Sequence, residues 1–231
     1  MLSIFVNPIQ FGPNEDFDKY PRDTERDLKV AENAGCDFVF MPSAREMYPH
    51  PIRTNVQVSE LTARLCGASR PGHFDGVATV VSKLFNIVQP DRAYFGLKDA
   101  QQTAVITQMV NDLNIDVKVV PCPIIREEDG LALSSRNVYL SDEERRQALV
   151  LNRALRQAEK ELAEGRGAEQ VRDGVIREIN KMPLAQIDYV ELLTYPGLQP
   201  VQHDMQEPVL VAVAVKFGKT RLIDNIITRF S

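Results

Sequence analysis

The sequence predicts an α/β fold, because short apolar segments alternate with segments of helical periodicity through the first half of the chain. The stretch "LSIFVNP" at residues 2–8 predicts a buried strand that ends at Asn-Pro. Asp23 is suited to be the N-cap of a helix that stops at Gly35, and the strand-like "DFVFM" follows. Such alternation implies a mostly parallel sheet covered on both faces.

The same alternation continues to about residue 124. From Asp75, apolar residues at helical spacing predict a helix that ends at Pro90, and "RAYFG" then predicts a strand. Residues 100–113 predict another helix, and "DVKVV" another strand. The prolines of the following "PCP" are expected to interrupt its pairing.

The second half predicts a separate, smaller α+β domain. Ser141 and Glu144 form a capping-box pattern before a long charged helix to about Gly165, and a second helix runs to about Met182. Three strand-like stretches follow, "DYVELLTY", "VLVAVAVKF" and "TRLIDNII", the last two joined in a hairpin at residues 217–219. We therefore predict two domains, residues 1–124 and 125–231.

Composition favours a small-molecule partner. The 231 residues carry a formal net charge of -5, which argues against nucleic acid or an anionic membrane as partner. The apolar runs are too short to span a bilayer and no signal peptide opens the chain, so we expect a cytoplasmic protein. The three cysteines and three histidines are widely spaced, which fits neither a disulfide framework nor paired zinc ligands nor an HExxH-type motif.

The loop after "RAYFG" is the first candidate binding site. Ligands of parallel α/β sheets gather where a strand ends and the next helix begins. There Gly96 permits close backbone approach, Lys98 can neutralise phosphate, Asp99 can accept from sugar hydroxyls, and Gln102 lies one turn further on. A capped, solvated loop is the alternative interpretation. The P-loop-like "FGKT" at residues 217–220 lacks the first glycine of that motif and predicts a hairpin turn instead.

Three other stretches contribute candidate residues. Asn7 and Gln10 follow the first strand and can grip hydroxyls and carboxylates. Arg70 and His73 precede a helix and can bind an anion. A loop offers two hydroxyls and a guanidinium to a polyphosphate, from Ser134, Ser135 and Arg136. Each stretch could also be an ordinary polar turn or helix cap.

Taken together, long strings of this sequence resemble the pantoate–beta-alanine ligase family across essentially the whole chain. The strings are "SIFVNPIQFGPNED", "YPRD", "ASRPGHFDGVATVVSKLFNIVQPDRAYFGLKDAQQ", "DGLALSSRN" and "RLIDN". The resemblance implies a Rossmann-like nucleotidyltransferase domain of the HIGH superfamily, followed by a C-terminal lid domain. It also implies that pantoate and beta-alanine are joined through a pantoyl adenylate, with ATP and Mg²⁺, in a cytoplasmic homodimer.

The resemblance further implies roles for individual residues. Gln10 and Gln102 would hold pantoate, with Gln10 also near beta-alanine, and Asn7, Arg70 and His73 would line that pocket. The ATP-binding residues would be Gly96, Leu97, Lys98, Asp99, Ile125, Leu133, Ser134, Ser135 and Arg136, of which Lys98 and the last three would be catalytic. Leu133 stands where methionine is common in the family, and the loop that contains it resembles the KMSKS loop of class I tRNA synthetases.

One family motif has no counterpart in this sequence. Members of the family carry a strand and a "TMGxLHxGH" segment whose histidines act at the transition state, and His50, His73 and His203 do not replace them by motif. A truncated sequence, which the intact pantoate and nucleotide residues favour, a fragment completed by a separate piece, and a degraded paralogue are the three explanations. We expect the chain alone to be weakly active or inactive, since each lost donor costs on the order of a hundredfold or more.

Two alternative functions remain open at this point. The chain could be a non-catalytic ligand-binding or assembly fragment, in which case it would bind ATP or pantoate without forming AMP. It could instead adenylate another small carboxylic acid, which pantoate analogues would reveal.

Overall fold

The computed structural model describes residues 1–13, 15, 17–202 and 206–229, which form two compact units. The first unit comprises Met1–Val58 and Arg70–Gln89, and the second comprises Ser59–Ser69 and Pro90–Ser231. The predicted domain boundary between residues 124 and 125 stays a prediction. Among the described residues, no helix is both long and apolar enough to cross a membrane.

The described residues form the following helices and strands. The helices are α1 Thr24–Asn33, α2 Ala44–Met47, α3 Leu65–Ser69, α4 His73–Val88, α5 Ala100–Asp112, α6 Asp142–Ala148, α7 Val150–Ala163 and α8 Ala168–Ile179. The strands are β1 Leu2–Ser3, β2 Val39–Phe40, β3 Arg92–Gly96, β4 Lys118–Cys122, β5 Ala185–Thr194, β6 Val209–Phe217 and β7 Thr220–Thr228. This order confirms an α/β segment followed by an α+β segment.

The first unit contains the parallel pair β1–β2 and the helices α1, α2 and α4. The predicted cap of α1 is confirmed, since the side chain of Asp23 accepts a hydrogen bond of 3.0 Å from the backbone N–H of Arg26. Helix α4 begins two residues before the predicted start and buries a continuous apolar face. Its C-cap, Gln89, adopts a left-handed conformation and Pro90 follows, as the sequence predicted.

The second unit contains the parallel pair β3–β4, and one expectation about this pair was wrong. The prolines of "PCP" were expected to interrupt the pairing, but β4 continues through Pro121, which lies opposite Phe95. Among the described residues β4 pairs with β3 alone, so it is an edge strand in this structure. A proline is tolerated on an edge strand, because the side that faces solvent has no neighbouring strand to which an N–H would donate.

The C-terminal sheet is antiparallel, in the order β5–β6–β7. The predicted hairpin is confirmed, with Gly218 at a positive φ of 57° in the turn, so "FGKT" is not a phosphate-binding loop. The capping box of Ser141 and Glu144 is present, but the long helix predicted after it is divided at Leu149 into α6 and α7. Helices α7 and α8 cover the sheet and form one apolar core with it.

Substitution of Leu155 by alanine tests this core. Leu155 is fully buried in α7, so Leu155→Ala should lower the free energy of unfolding by about 2–5 kcal/mol, measured by denaturant titration. The control is Leu113→Ala, because Leu113 is 55% exposed and should change stability by no more than about 0.5 kcal/mol. Equal effects of the two substitutions would contradict the packing described here.

Candidate active site

The turn after β1 is fixed by the side chain of Asn7. This residue is only 2% exposed, and its Nδ2 donates to Gly76 O at 3.0 Å and to Gln10 Oε1 at 3.2 Å. Its Oδ1 accepts a bond of 2.7 Å from the Tyr48 hydroxyl. Burial of that hydroxyl raises the pKa of Tyr48 to about 12. Asn7 therefore shapes the Pro8–Gln10 turn, since its amide is occupied by protein groups.

Helix α4 approaches this turn closely because residue 76 is glycine. A Cβ at Gly76 would lie 2.5 Å from Ile9 O and 2.7 Å from the Cα of Gln10, so any other residue would push the helix away. The close approach also allows the carbonyl of Gly76 to accept the bond from Asn7. Glycine at position 76 thus allows Gln10 to lie beside the start of α4.

Arg70, His73 and Glu15 form one hydrogen-bonded chain that ends on the same turn. Arg70 Nη1 lies 3.0 Å from His73 Nε2, and His73 Nδ1 lies 2.9 Å from Gln10 O. A guanidinium only donates and a carbonyl only accepts, so the imidazole must be neutral with its proton on Nδ1. The network therefore assigns a single tautomer to His73.

The charge of Arg70 is balanced by Glu15. Its Nε donates to Glu15 Oε1 at 2.7 Å, and its Nη2 donates to Glu15 Oε2. Burial of Glu15 would raise the pKa of its carboxyl, but the hydrogen bonds and charge of Arg70 outweigh burial and hold that pKa below its ordinary value. Arg70 is therefore a paired cation, not an open anion-binding group.

The second unit contains the loop that follows β3. Leu97–Asp99 forms a single helical turn between β3 and α5, and no atom lies within 4 Å of the position that a Cβ on Gly96 would occupy. Lys98 is partly buried, and its Nζ forms no ion pair within the described part of the chain. Asp99 is exposed. The loop thus presents one cation and one carboxylate beside open space.

The two glutamines at the start of α5 differ in their surroundings. Gln101 is buried, and its Nε2 donates to the carbonyls of Leu61 and Arg64 at 2.8 and 2.7 Å. Gln102 is partly exposed, and its side-chain amide has no hydrogen-bond partner within the ranges that the structure describes. Gln102, which the sequence predicts as a binding residue, is therefore the glutamine whose amide can bond to a ligand.

The loop of residues 125–136 is fixed by a polar network. Asn137 donates from Nδ2 to Ala132 O at 3.1 Å and to Glu127, and Arg145 also donates to Glu127 at 2.6 Å. The hydrogen bonds from Asn137 and Arg145 hold the pKa of Glu127 below its ordinary value. Ser134 Oγ accepts from the backbone N–H of Arg136 at 3.3 Å and so caps the short helix Ser135–Tyr139.

Two apolar side chains of this loop face solvent. Ile125 is 65% exposed and Leu133 is 55% exposed, and the backbone N–H of Leu133 donates to Ile125 O at 2.9 Å. Exposed apolar side chains next to polar groups are typical of a surface that a flat organic ring can cover.

The structure brings Lys98 and Ser134 together within the second unit. Both residues line one small cavity with Asp224 and Asn137, and the remaining lining residues are apolar or contribute backbone. Asp224 is itself paired with Arg126 through bonds of 2.7 and 3.0 Å. The strand-end loop and the hydroxyl loop therefore approach each other at a cavity of about 10 Å³, which has room for about one water molecule.

The remaining predicted residues are placed as follows. Asn7, Gln10, Arg70 and His73 are connected with one another in the first unit, whereas Gln102 begins α5 in the second unit. His50 is exposed, and His203 lies outside the described residues. Within the described ranges, no group of three His, Cys, Asp or Glu side chains could hold a metal ion.

Several residues that organise the site were not predicted from the sequence. They are Glu15, Tyr48, Gly76, Gln101, Arg126, Glu127, Arg145, Asp224 and Asn225. Five of them, Glu15, Gly76, Gln101, Asp224 and Asn225, lie within the family-typical strings quoted above, so those strings were the available signal. The other residues pair with partners far apart in the sequence, and no local sequence pattern indicates such pairs.

These features define an α/β protein in which a loop with a lysine and a loop with serine hydroxyls lie next to each other. The family model described as Pantoate-beta-alanine ligase matches residues 1–227. The chain belongs to the pantoate-beta-alanine ligase family, as the sequence resemblance indicated.

Individual relatives agree with this membership. A pantothenate synthetase of Acetivibrio thermocellus is 59% identical over 228 residues, which are 98% of this chain and 81% of that protein. The crystal structure of pantothenate synthetase from Thermus thermophilus has a TM-score of 0.93 and 48% identity, over 97% of this chain and 82% of that chain. A pantoate-beta-alanine ligase of Francisella tularensis, complexed with beta-gamma ATP and beta-alanine, has a TM-score of 0.77 and 33% identity, over 98% and 78% respectively.

The pairing of Glu15 with Arg70 predicts a pH-dependent stability. Because the folded-state pKa of Glu15 lies below its unfolded value, the pair stabilises the fold above about pH 4.5, and this contribution is lost as pH falls through the folded pKa. Glu15→Gln should therefore cost about 1–2 kcal/mol at pH 7 and almost nothing at the acid end of that titration. Denaturant titrations over this pH range measure the difference.

The control for this prediction is Asp37→Asn. Asp37 is an exposed carboxylate of the same unit, so its substitution should have little effect at either pH. A cost of Glu15→Gln that is independent of pH would contradict the ion pair.

Proposed function

We propose that this chain catalyses the ATP-dependent condensation of pantoate with beta-alanine, with release of AMP and pyrophosphate. The observation that carries the proposal is the membership of the chain in the pantoate-beta-alanine ligase family. The proximity of Lys98 and Ser134, which line one small cavity, supports it. A lysine ammonium and a serine hydroxyl from two loops are suited to hold the phosphates of one nucleotide.

The first step is an adenylation. A carboxylate oxygen of pantoate attacks the α-phosphorus of ATP, the bond from that phosphorus to the bridging α–β oxygen breaks, and pyrophosphate leaves with the electron pair. The nucleophile, ATP and the leaving group are all anionic, so cations must offset their repulsion. Lys98 and Arg136 are the proposed cations, and the hydroxyls of Ser134 and Ser135 are the proposed donors to phosphate oxygens.

The second step transfers the acyl group. The amine nitrogen of beta-alanine attacks the acyl carbon of pantoyl adenylate, the bond from that carbon to the phosphate oxygen breaks, and AMP leaves while the amine loses a proton. The carboxylate of pantoate is a poor electrophile, and adenylation supplies the leaving group. Positioning of the reactants is then the main requirement of the site.

We assign the other predicted residues to substrate binding. Gln10 and Gln102 would donate to and accept from pantoate, and Gln10 would also contact beta-alanine. The backbone of Ile125 would contact the adenine, Asp99 would lie near the ribose, and Gly96, Leu97 and Leu133 would contact the nucleotide. Asn7, Arg70 and His73 support this site by fixing the Gln10 turn, which their mutual hydrogen bonds favour.

Mg²⁺, a homodimer and a cytoplasmic location are parts of the same proposal. Mg²⁺ is commonly held by phosphate oxygens, so it would enter the site together with ATP. It would neutralise phosphate charge. The dimer rests on the family resemblance, and the location rests on the small polar substrates.

The direct test uses the purified chain at a concentration above that of ATP, because the "TMGxLHxGH" histidines are absent from this sequence and slow turnover is expected. We expect AMP formation that requires both pantoate and beta-alanine. In parallel, calorimetry with a non-hydrolysable pantoyl-adenylate analogue should show tighter binding than ATP or pantoate alone, because the analogue occupies both subsites. No binding of the analogue, or equal binding when its pantoyl group is exchanged, would overturn the proposal.

Lys98→Gln tests the role of the strand-end loop. Loss of a charge-assisted contact to phosphate should raise the Kd for ATP by about 10–100-fold, measured by calorimetry. Lys118→Gln is the matched control, since Lys118 is an exposed lysine at the opposite end of the β3–β4 pair and should leave the affinity unchanged. Equal affinities of all three proteins for ATP would remove Lys98 from the nucleotide site.

A further inference from the structure

The string "RLIDN" at residues 221–225 lies on β7, and the proposed chemistry gives it no role. Asn225 is 4% exposed, and its Nδ2 donates to Leu97 O and to Lys98 O, both at 2.9 Å. A side-chain amide has two N–H groups, and here both are used on consecutive carbonyls of one loop. The contact therefore fixes the backbone of the loop that presents Lys98.

The oxygen of the same amide indicates that Asn225 stabilises the fold through the bonds it donates. Asn225 Oδ1 is buried and has no hydrogen-bond partner among the described residues. A buried acceptor without a partner destabilises a fold, so the stabilising contribution of Asn225 must lie in its two donated bonds. The orientation of the amide is unambiguous, because an oxygen in place of Nδ2 would face two carbonyl oxygens.

The preceding residue of β7 holds the other loop. Asp224 is 3% exposed and accepts both bonds of the Arg126 guanidinium. Arg126 Nη1 also donates to Gly130 O at 3.1 Å, and Arg126 forms a backbone bridge with Ala132. Arg126 thereby closes the turn of residues 126–132, directly before the loop that bears Ser134.

Adjacent residues of a strand point to opposite faces, so one dipeptide can hold two different loops. The backbone N–H of Asn225 also donates to Asp224 Oδ1 at 2.8 Å, which couples the two residues. We propose that Asp224 and Asn225 are positioning residues that set the spacing between the Lys98 loop and the Ser134 loop. The functional consequence, tighter ATP binding, rests on the proposed function, whereas the ordering of the loops does not.

Asn225→Asp tests the first half of the proposal. The change keeps the shape of the side chain but replaces two N–H donors by a carboxylate oxygen that the two carbonyls repel. In the protein without ATP, hydrogen exchange of a peptide covering the loop and the first turn of α5 should become about tenfold faster or more. The Kd for ATP should rise by a similar factor. Unchanged exchange of this peptide would overturn the proposal.

Two comparisons separate positioning from general destabilisation. Asn86→Asp removes one amide-to-carbonyl bond on the exposed side of α4, and it should leave exchange of the loop peptide unchanged. In Asn225→Asp, lowering the pH protonates the carboxyl, which can then donate to one carbonyl and partly restore protection relative to Asn86→Asp. Faster exchange that is spread evenly over α7 and α8 would contradict a local positioning role.

Arg126→Lys tests the second half. Lysine keeps the charge but cannot form the paired bonds to Asp224, so exchange of a peptide covering residues 126–134 should become about tenfold faster, while the Lys98 loop changes less. Arg156→Lys, at an exposed ion pair of α7, is the control and should change neither peptide. Unchanged exchange of residues 126–134 in Arg126→Lys would overturn this half.

Binding of ATP distinguishes a failure of the proposed function from a failure of the link between loop spacing and affinity. If the unsubstituted chain binds no ATP, the proposed function fails, and the exchange measurements still decide whether β7 positions the loops. If ATP binds equally to the unsubstituted chain and to Asn225→Asp despite faster exchange of the loop, the loop spacing has no role in affinity, and the functional part of the inference is refuted.

Discussion

The two hydrogen bonds from Asn225 to the carbonyls of Leu97 and Lys98 are the contact on which the proposed nucleotide site depends. A loop at the end of a parallel strand has left one hydrogen-bond ladder and has not yet entered the helix, so its carbonyls need partners elsewhere. Here the partner is a buried amide on a strand of the C-terminal sheet. The position of Lys98 is therefore set by a residue 127 positions away in the sequence.

The distribution of charge follows the same logic. The chain is acidic as a whole, yet the strand-end loop presents Lys98 to a ligand, while Arg126 is neutralised by Asp224. Paired cations such as Arg126 hold the fold together, whereas Lys98 is the cation that we propose binds phosphate. In the first unit Arg70 is likewise neutralised by Glu15, and its role is to fix the turn that carries Gln10.

Local patterns were enough to predict most of the helices and strands. The cap at Asp23, the capping box at Ser141 and the hairpin at Gly218 depend on residues within a few positions of one another, and all three are confirmed. The break at Leu149 and the continuation of β4 through Pro121 were missed. The proline is tolerated because β4 has an open side, and edge position is a property of sheet order that residue periodicity does not contain.

The site was predictable only in part. Residue chemistry identified the groups that can meet a ligand, such as Lys98 and Ser134, and the structure gives both a place at one cavity. Residue chemistry could not identify which polar groups already have hydrogen-bond partners in the protein. Asn7 and Arg70 are bonded to residues that are distant in sequence. The proposed positioning role of Asp224 and Asn225 was not predicted for the same reason.

The central claim is that the two loops held by β7 form one ATP site. Its most direct measurement is a titration of the unsubstituted chain with ATP, followed by hydrogen exchange of peptides that cover residues 96–103 and residues 126–136. The account predicts that both peptides gain protection with the same midpoint concentration of ATP. Protection of only one peptide, or of the two at clearly different concentrations, would contradict it.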